Sequence, residues 1–525
     1  MDKNELNHWL QSGRVSRRDF MLGAAALGFS STWAGKMVQA QAATPKKGGT
    51  FRFASAGAAS TDSLDPATFL DTYPAMISYQ INSYLVELDA DNNAVFELAE
   101  SVDPDATATV WRVKLRKGVE FHNGKTLDAE DVIYSLQHHL GEKTESAAKS
   151  IVAQIKEMKA DGKYEVVLTL SEANADLPYF LSDYHLPIFP AGTTDFSKGV
   201  GAGGYILEEF EPGVRTTTRR NPNYWRDGRA NFDAVVSLAI NDPTARQSSL
   251  LSGKVDAISD PSLKTVQFIE KRDGVRLIEN PSNTHMTLPM LGKLAPFGDH
   301  DVQLALKYAF DREQLVKNVL RGHGEVGNDT PIGPVNTYRA TDLPQRSYDP
   351  DKAKYHWKKA GMAGKSVELY ASDLVLGLGL DTASTFQQQA AFCDIAVDVV
   401  RAPSDGYWSD VWLVKPWCQS YYSGRPTEDM MLSLVYTSDG SWNETGWANK
   451  QFDQVVQLAR GELDRDKRKQ LYYDAQALCN DDCSTVIPFF LNDIVAVSDR
   501  VQTGVVAANY TLDGYRAPDR WWFDS

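Results

Sequence analysis

Past its first forty or so residues, this chain has no apolar run near the about twenty residues that a membrane-crossing helix needs. Nor has it a run of Lys and Arg, and the net charge of −15 argues against a nucleic-acid groove. The motifs H-E-x-x-H and G-x-S-x-G are missing, as is any Cys/His set with zinc spacing. No constellation suggests catalysis, so no enzyme activity, metal or cofactor is expected. His138 and His139 are neighbours on a predicted helix and point about 100° apart, too divergent to share a metal. Cysteine is scarce, with four in the chain. In an oxidising compartment they permit two bridges. Cys479 and Cys483 sit one helical turn apart, about 6 Å between Cα atoms, within reach of a disulfide. One bridge, 479–483, is expected, with Cys393 and Cys418 as buried free thiols.

Two short motifs match nucleotide-binding patterns and fail on context. Gly199-Val200-Gly201-Ala202-Gly203-Gly204 satisfies G-x-G-x-x-G, which needs a strand before it and a helix after it. Here Tyr205-Ile206-Leu207 continues as a strand, turns at Glu211-Pro212-Gly213 and returns, which is a hairpin. Gly364-Lys365-Ser366 resembles the end of a phosphate loop, but Lys359 stands where the first glycine belongs and a strand follows.

What remains is an ordinary globular composition, 42% hydrophobic and 23% charged, long enough for about two or three packed cores. Residues 1–42 read as an export leader. Ser16-Arg17-Arg18-Asp19-Phe20 is a twin-arginine pattern, Leu22 to Phe29 is a short apolar run, and Ala40-Gln41-Ala42 is a small-x-small cleavage site. The expectation is export already folded, and residence in the periplasm.

The stretch from Leu98 to Leu140 organises the rest. Trp111, Val113 and Leu115 alternate with Arg112, Lys114 and Arg116, the pattern of a half-buried strand. Asn123-Gly124 is a turn pair, and Asp128 can cap a helix with Val132, Ile133, Leu136 and Leu140 on one face. The order Leu98-Ala99-Glu100-Ser101, Trp111, Leu115-Arg116-Lys117-Gly118-Val119, Phe121-His122, Gly124, Ala129, Asp131-Val132 and Tyr134-Ser135 resembles the signature of family 5 extracytoplasmic solute-binding proteins. That family serves ABC importers and includes dipeptide-, oligopeptide-, opine- and nickel-binding proteins.

The resemblance implies an α/β, bilobal periplasmic-binding-protein fold, with two chain crossings at a hinge and an extra subdomain in the first lobe. Lobe I is expected over 43–284, with an inserted subdomain at roughly 66–195. Lobe II is expected over 285–486, and 487–525 returns to lobe I. Crossing strands are read at Leu277 to Pro281 with His285 to Met290, and at Val486 to Phe490. Expected partners are a small-molecule solute and the membrane permease, with no nucleic acid, and the chain is expected to be a monomer.

Candidate ligand contacts come from two places. Asp71, Thr72 and Tyr73 start a predicted helix, where free backbone N–H groups and a phenol face a solute. Tyr421, Tyr422, Arg425, Trp442 and Asn443 belong to the second. In peptide-binding relatives the equivalent loop carries an aspartate that pairs with the peptide's amino group; here Gly424-Arg425-Pro426-Thr427 replaces it. A guanidinium suits a carboxylate and repels an ammonium, while the aromatics offer flat faces for the body of a ligand. A carboxylated amino-acid derivative, an opine-like compound or a short peptide leads, ahead of an oligosaccharide. An exported enzyme, or a sensor on the same scaffold, is the reading from another class.

Overall fold

A computed structural model describes residues 45–141, 144, 146–404 and 406–524; the leader over 1–42 lies outside them. The strand Val110–Leu115 buries Trp111, Val113 and Leu115 and exposes Arg112 and Lys114, as its alternation requires. It lies between Ala99–Pro104 and Glu165–Leu170, with Ile155–Ala160 at the far edge. Asp128 caps the helix Ala129–Gln137, and the Asp131 carboxylate in turn accepts the Asp128 N–H at 2.9 Å. Val132 and Leu136 pack on this sheet, in a core that runs from Leu85 to Ala202 and forms the extra subdomain.

The body of lobe I is built on Thr50–Ser55, which lies parallel to both Ala234–Ala239 and Ala257–Ser259. The hairpin Tyr205–Glu211 and Arg215–Arg220 extends the sheet edge. Phe51 stacks on Phe232 at 4.6 Å and meets Trp521 of the C-terminal tail at 6.1 Å. The glycines before the hairpin serve close packing: a Cβ on Gly201 would lie 2.1 Å from the Ile81 carbonyl oxygen. No phosphate cradle forms there.

Two long strands carry the chain between lobes. Val275–Pro289 is a single strand of 15 residues where two were expected, with a register shift between Pro281 and His285. Pro281 has no N–H to give the ladder, so the strand bulges instead of ending. Its first half pairs with Phe489–Ser498 and its second half, His285 to Thr287, pairs with Ser420–Tyr422. The return strand also differs from expectation. It is Phe489–Ser498, and Thr485–Val486 forms a separate short strand, because Pro488 interrupts the ladder between them.

Lobe II holds two cores. One surrounds Phe310, Trp357, Phe386 and Trp417 beside the parallel pair Ser366–Ala371 and Ala396–Arg401. The other gathers Tyr436, Phe452 and Tyr472 from the helices Glu428–Val435, Lys450–Gly461 and Arg465–Asp482. All four cysteines are buried free thiols, so the expected 479–483 bridge is a correction. The Cys483 N–H donates to the Cys479 carbonyl at 3.2 Å, which keeps helical spacing to the end of the helix. Burial, then the Cys483 thiol beside it, pushes the Cys479 thiol up.

Candidate ligand-binding cleft

The lobe II wall begins with Ser420–Tyr422, whose pairing with His285 to Thr287 delivers the next loop over the bulge. Gly424 permits the close approach: a Cβ there would lie 2.5 Å from the Cβ of Asn283. The Arg425 carbonyl accepts from the amides of Asn283 at 3.4 Å and Asn336 at 3.2 Å. Thr427 then caps the helix Glu428–Val435. The Arg425 backbone is therefore clamped while its guanidinium stays half-buried, with Nη1 donating to the Ser423 carbonyl at 3.0 Å. The acids nearest in sequence are engaged elsewhere. Glu428 accepts the Tyr338 N–H at 2.7 Å, and Asp429 pairs with Arg460 at 3.0 Å.

Lobe I contributes Asn92, buried and left-handed at φ 61°, and the tail residues Ala508 and Asn509. The Asn92 amide donates across the gap to the carbonyls of Pro426 at 2.7 Å and Val335 at 3.3 Å. With Asn283, Thr284 and Arg425 these residues line a narrow gap between the lobes of about 10 Å³, room for about one water. The Oδ1 atoms of Asn92 and Asn509 are buried and have no hydrogen-bond partner. Arg425 sets the local field. Against the upward push of burial, His185 and then Arg425 hold the Asp183 carboxyl below its usual value. Burial lowers His285 to about 4, with Arg425 acting in the same direction, so that ring is neutral at pH 7.

Of the residues expected at the solute, Arg425 alone lines this cavity. Tyr73 is fully buried, and its hydroxyl donates to the Ser237 carbonyl at 2.8 Å, so it belongs to the lobe I core. The Thr72 hydroxyl is spent on the Ala56 carbonyl at 3.0 Å, and Asp71 caps the helix Thr72–Ile81 from an exposed position. After burial, the Asp71 charge raises the Tyr421 hydroxyl pKa, which places this carboxylate near lobe II. Tyr421 lies against Trp408 at 5.9 Å, and buried Tyr422 stacks on Trp442 at 6.2 Å. Trp442 itself is 41% exposed. The Asn443 amide donates to the carbonyls of Thr437 and Trp447, which makes it a loop tie. Sequence reasoning missed Asn92, Asn283, Thr284 and Asn509. Asn92 alone had a local signal, the turn-forming Asp91-Asn92-Asn93.

A second zone of lobe-to-lobe contact lies beyond Asn92. Asp176 of the subdomain pairs with Arg468 of lobe II at 2.6 Å, and the Ala175 N–H donates to the Arg460 carbonyl at 2.8 Å. Among the described residues no cluster of three or more His, Cys, Asp or Glu could hold a metal, and no helix is long and apolar enough to cross a membrane.

The family model described as bacterial extracellular solute-binding proteins, family 5 (middle), matches residues 93–443. The oligopeptide-binding protein AppA of Bacillus subtilis is 28% identical over 300 residues, a match spanning 54% of this chain and about half, 54%, of that relative. Among solved structures, the periplasmic binding protein DppA of Helicobacter pylori, in complex with the peptide STSA, superposes with a TM-score of 0.76 at 20% identity. That superposition covers 93% of this chain and 100% of DppA. The binding protein AgaA of A. tumefaciens R10, in complex with agropinic acid, gives a TM-score of 0.75 at 22% identity, covering 90% of this chain and 99% of AgaA.

Proposed function

The chain belongs to the family 5 bacterial extracellular solute-binding proteins, and from that premise we propose that it captures a small carboxylated solute and presents it to an ABC permease. One observation carries the ligand reading. Arg425 stands in the gap between lobes with its backbone clamped and its neighbouring acids occupied by other partners. A guanidinium so placed holds a planar anion by two parallel hydrogen bonds.

The mechanism is mechanical. Ligand contacts from both walls favour the closed form, and the permease reads that shift in population. The crossing strands Val275–Pro289 and Phe489–Ser498 form the hinge. Lobe I then spans 43–284 and the tail from 487, and lobe II spans 285–486. The protein performs no reaction on its solute, binds no nucleic acid and works as a monomer. Its leader directs folded export to the periplasm by the twin-arginine route, so replacing Arg17 and Arg18 together by Lys should retain it in the cytoplasm.

Native mass spectrometry of protein purified from its own source tests the reading. One small molecule per chain is expected, unchanged on release, and none with Arg425→Ala. Recovery of a chemically altered molecule would favour an exported enzyme instead.

A further inference from the structure

A recess opens at the end of the lobe I sheet that lies farthest from the lobe crossings. It sits where Val275 begins one crossing strand and Ser498 ends the other. About 25 Å of strand, at about 3.3 Å per residue, separates Val275 from Asn283 beside Arg425. The recess holds about 320 Å³, against about 10 Å³ for the gap at Arg425. That volume falls within the range of about 300–1,000 Å³ found for small-molecule pockets.

One carboxylate organises the polar wall. Asp256 is buried and accepts the Arg52 backbone N–H at 2.9 Å and its Nε at 3.4 Å. It also accepts Nε and Nη2 of Arg500 at 3.0 and 2.5 Å. The Arg500 guanidinium lies 4.3 Å from the Phe523 ring, which holds its plane. Both arginines are thus pinned through Nε, and the two Nη groups of Arg52 have no partner among the described residues. Arg272, exposed on the turn after Val266–Glu270, lines the same recess, and its guanidinium too has no partner among the described residues. Asp273 stands beside it. Three arginines therefore face two carboxylates, one of them already saturated, in a chain whose net charge is −15. Leu251, Val255 and Val275 give the recess an apolar side. A pocket that joins free guanidinium edges to apolar surface fits a ligand with both characters.

We propose that this recess is a second binding site, separate from the solute cleft, for a small ligand with an oxyanion head and a short apolar body. The head, a carboxylate or a phosphate monoester, is held by the Nη groups of Arg52 and by Arg272. The body lies on Leu251 and Val275. Asp256 is a positioning residue, which sets the angle of Arg52 and touches no ligand.

Isothermal titration of the mature protein tests this with four probes: phenyl phosphate, hexanoate, inorganic phosphate and hexylammonium. One-to-one binding of phenyl phosphate or hexanoate is expected, and the tighter of the two identifies the head. Either should bind at least about 10-fold more tightly than inorganic phosphate, which has no apolar body to bury. Arg272→Ala breaks no contact in the fold, so it should keep its melting temperature and bind the organic anion about 10-fold or more weakly. Arg425→Ala should leave that affinity unchanged. Binding that survives Arg272→Ala, or that is lost with Arg425→Ala, would overturn the inference. So would hexylammonium binding as tightly as the anions, or no binding of either organic anion up to about 10 mM.

Discussion

Two of the buried charge clusters that tie this molecule together are built differently. Within lobe I, Glu87, Glu97, Asp513 and Asp519 face Arg226, Arg229, Arg516 and Arg520, so the charges balance. Arg516 is the hub, 2.6 Å from Glu97 and 3.2 Å from Glu87, with its guanidinium 4.6 Å from the Tyr79 ring. Across the lobes, Asp176 pairs with Arg468 and Glu172 reaches Arg460 at 3.7 Å; within lobe II, Asp429 also pairs with Arg460 and Glu428 accepts a backbone N–H. The first cluster ties the C-terminal tail to the subdomain within lobe I. The second lies at the joint between lobes, where Glu172, Asp176, Glu428 and Asp429 outnumber Arg460 and Arg468. A permanent seam tolerates many interlocked ion pairs; a working one carries fewer, because each pair must be separated and rehydrated in every cycle.

Breaking the hub should therefore have the largest effect, and on stability alone. Arg516→Ala leaves Glu87 and Glu97 buried beside fewer cations and is expected to destabilise lobe I by about 3–5 kcal/mol, read as a lower urea midpoint. Solute affinity of the folded fraction should change little. Arg468→Ala reverses that pattern. It strands Asp176 in the closed form only, so closure becomes costlier by about 1–3 kcal/mol, affinity falls about 10- to 100-fold and the urea midpoint moves less. Adding Asp176→Asn should restore part of the affinity, since no unpaired charge then remains. A loss of stability from Arg468→Ala as large as that from Arg516→Ala would erase the distinction between seam and joint.

Much of the architecture was legible in the chain because it rests on local pattern. The alternation at 110–115, the Asp128 cap and the hairpin after Gly204 all express rules acting over a few residues. The lobe crossings were harder. Pro281 reads as the end of a strand and Pro488 as the middle of one, yet the first bulges within one long strand and the second separates a short strand from a long one. The cleft was least legible. Tyr73 and Asn443 have the right chemistry for a ligand, but their polar atoms found partners within their own lobes. Arg425 was readable because the chemistry of its loop departs from that of peptide-binding relatives. Asn92 and Asn509 lie 417 positions apart and line the same gap only because the tail folds back. The absent sulfur bridge tells the same story: spacing allows a bond between Cys479 and Cys483, yet both are buried free thiols.

The smallest expected effect is a slope, and it follows from the excess of acid at the joint. Burial, then the nearby Asp176 charge, pushes Glu428 from 4.5 up to about 7, against the pull of the Tyr338 N–H and Arg468. Asp429, beside it in sequence, is neutralised by Arg460. Below pH 4.5 the carboxyl is protonated whether the chain is folded or not, and its burial is then least costly. As pH rises towards about 7 the unfolded chain releases this proton and the folded one retains it, so stability falls through that window and levels off above it. One such group contributes a slope of at most about 1.4 kcal/mol per pH unit. Glu428→Gln keeps an acceptor for the Tyr338 N–H and removes the titration, so the melting temperature of the variant should decline less between pH 5 and about 7 than that of the native protein. Parallel profiles for the two would show that the joint carries no unneutralised acid, and that its charges balance like those of the seam.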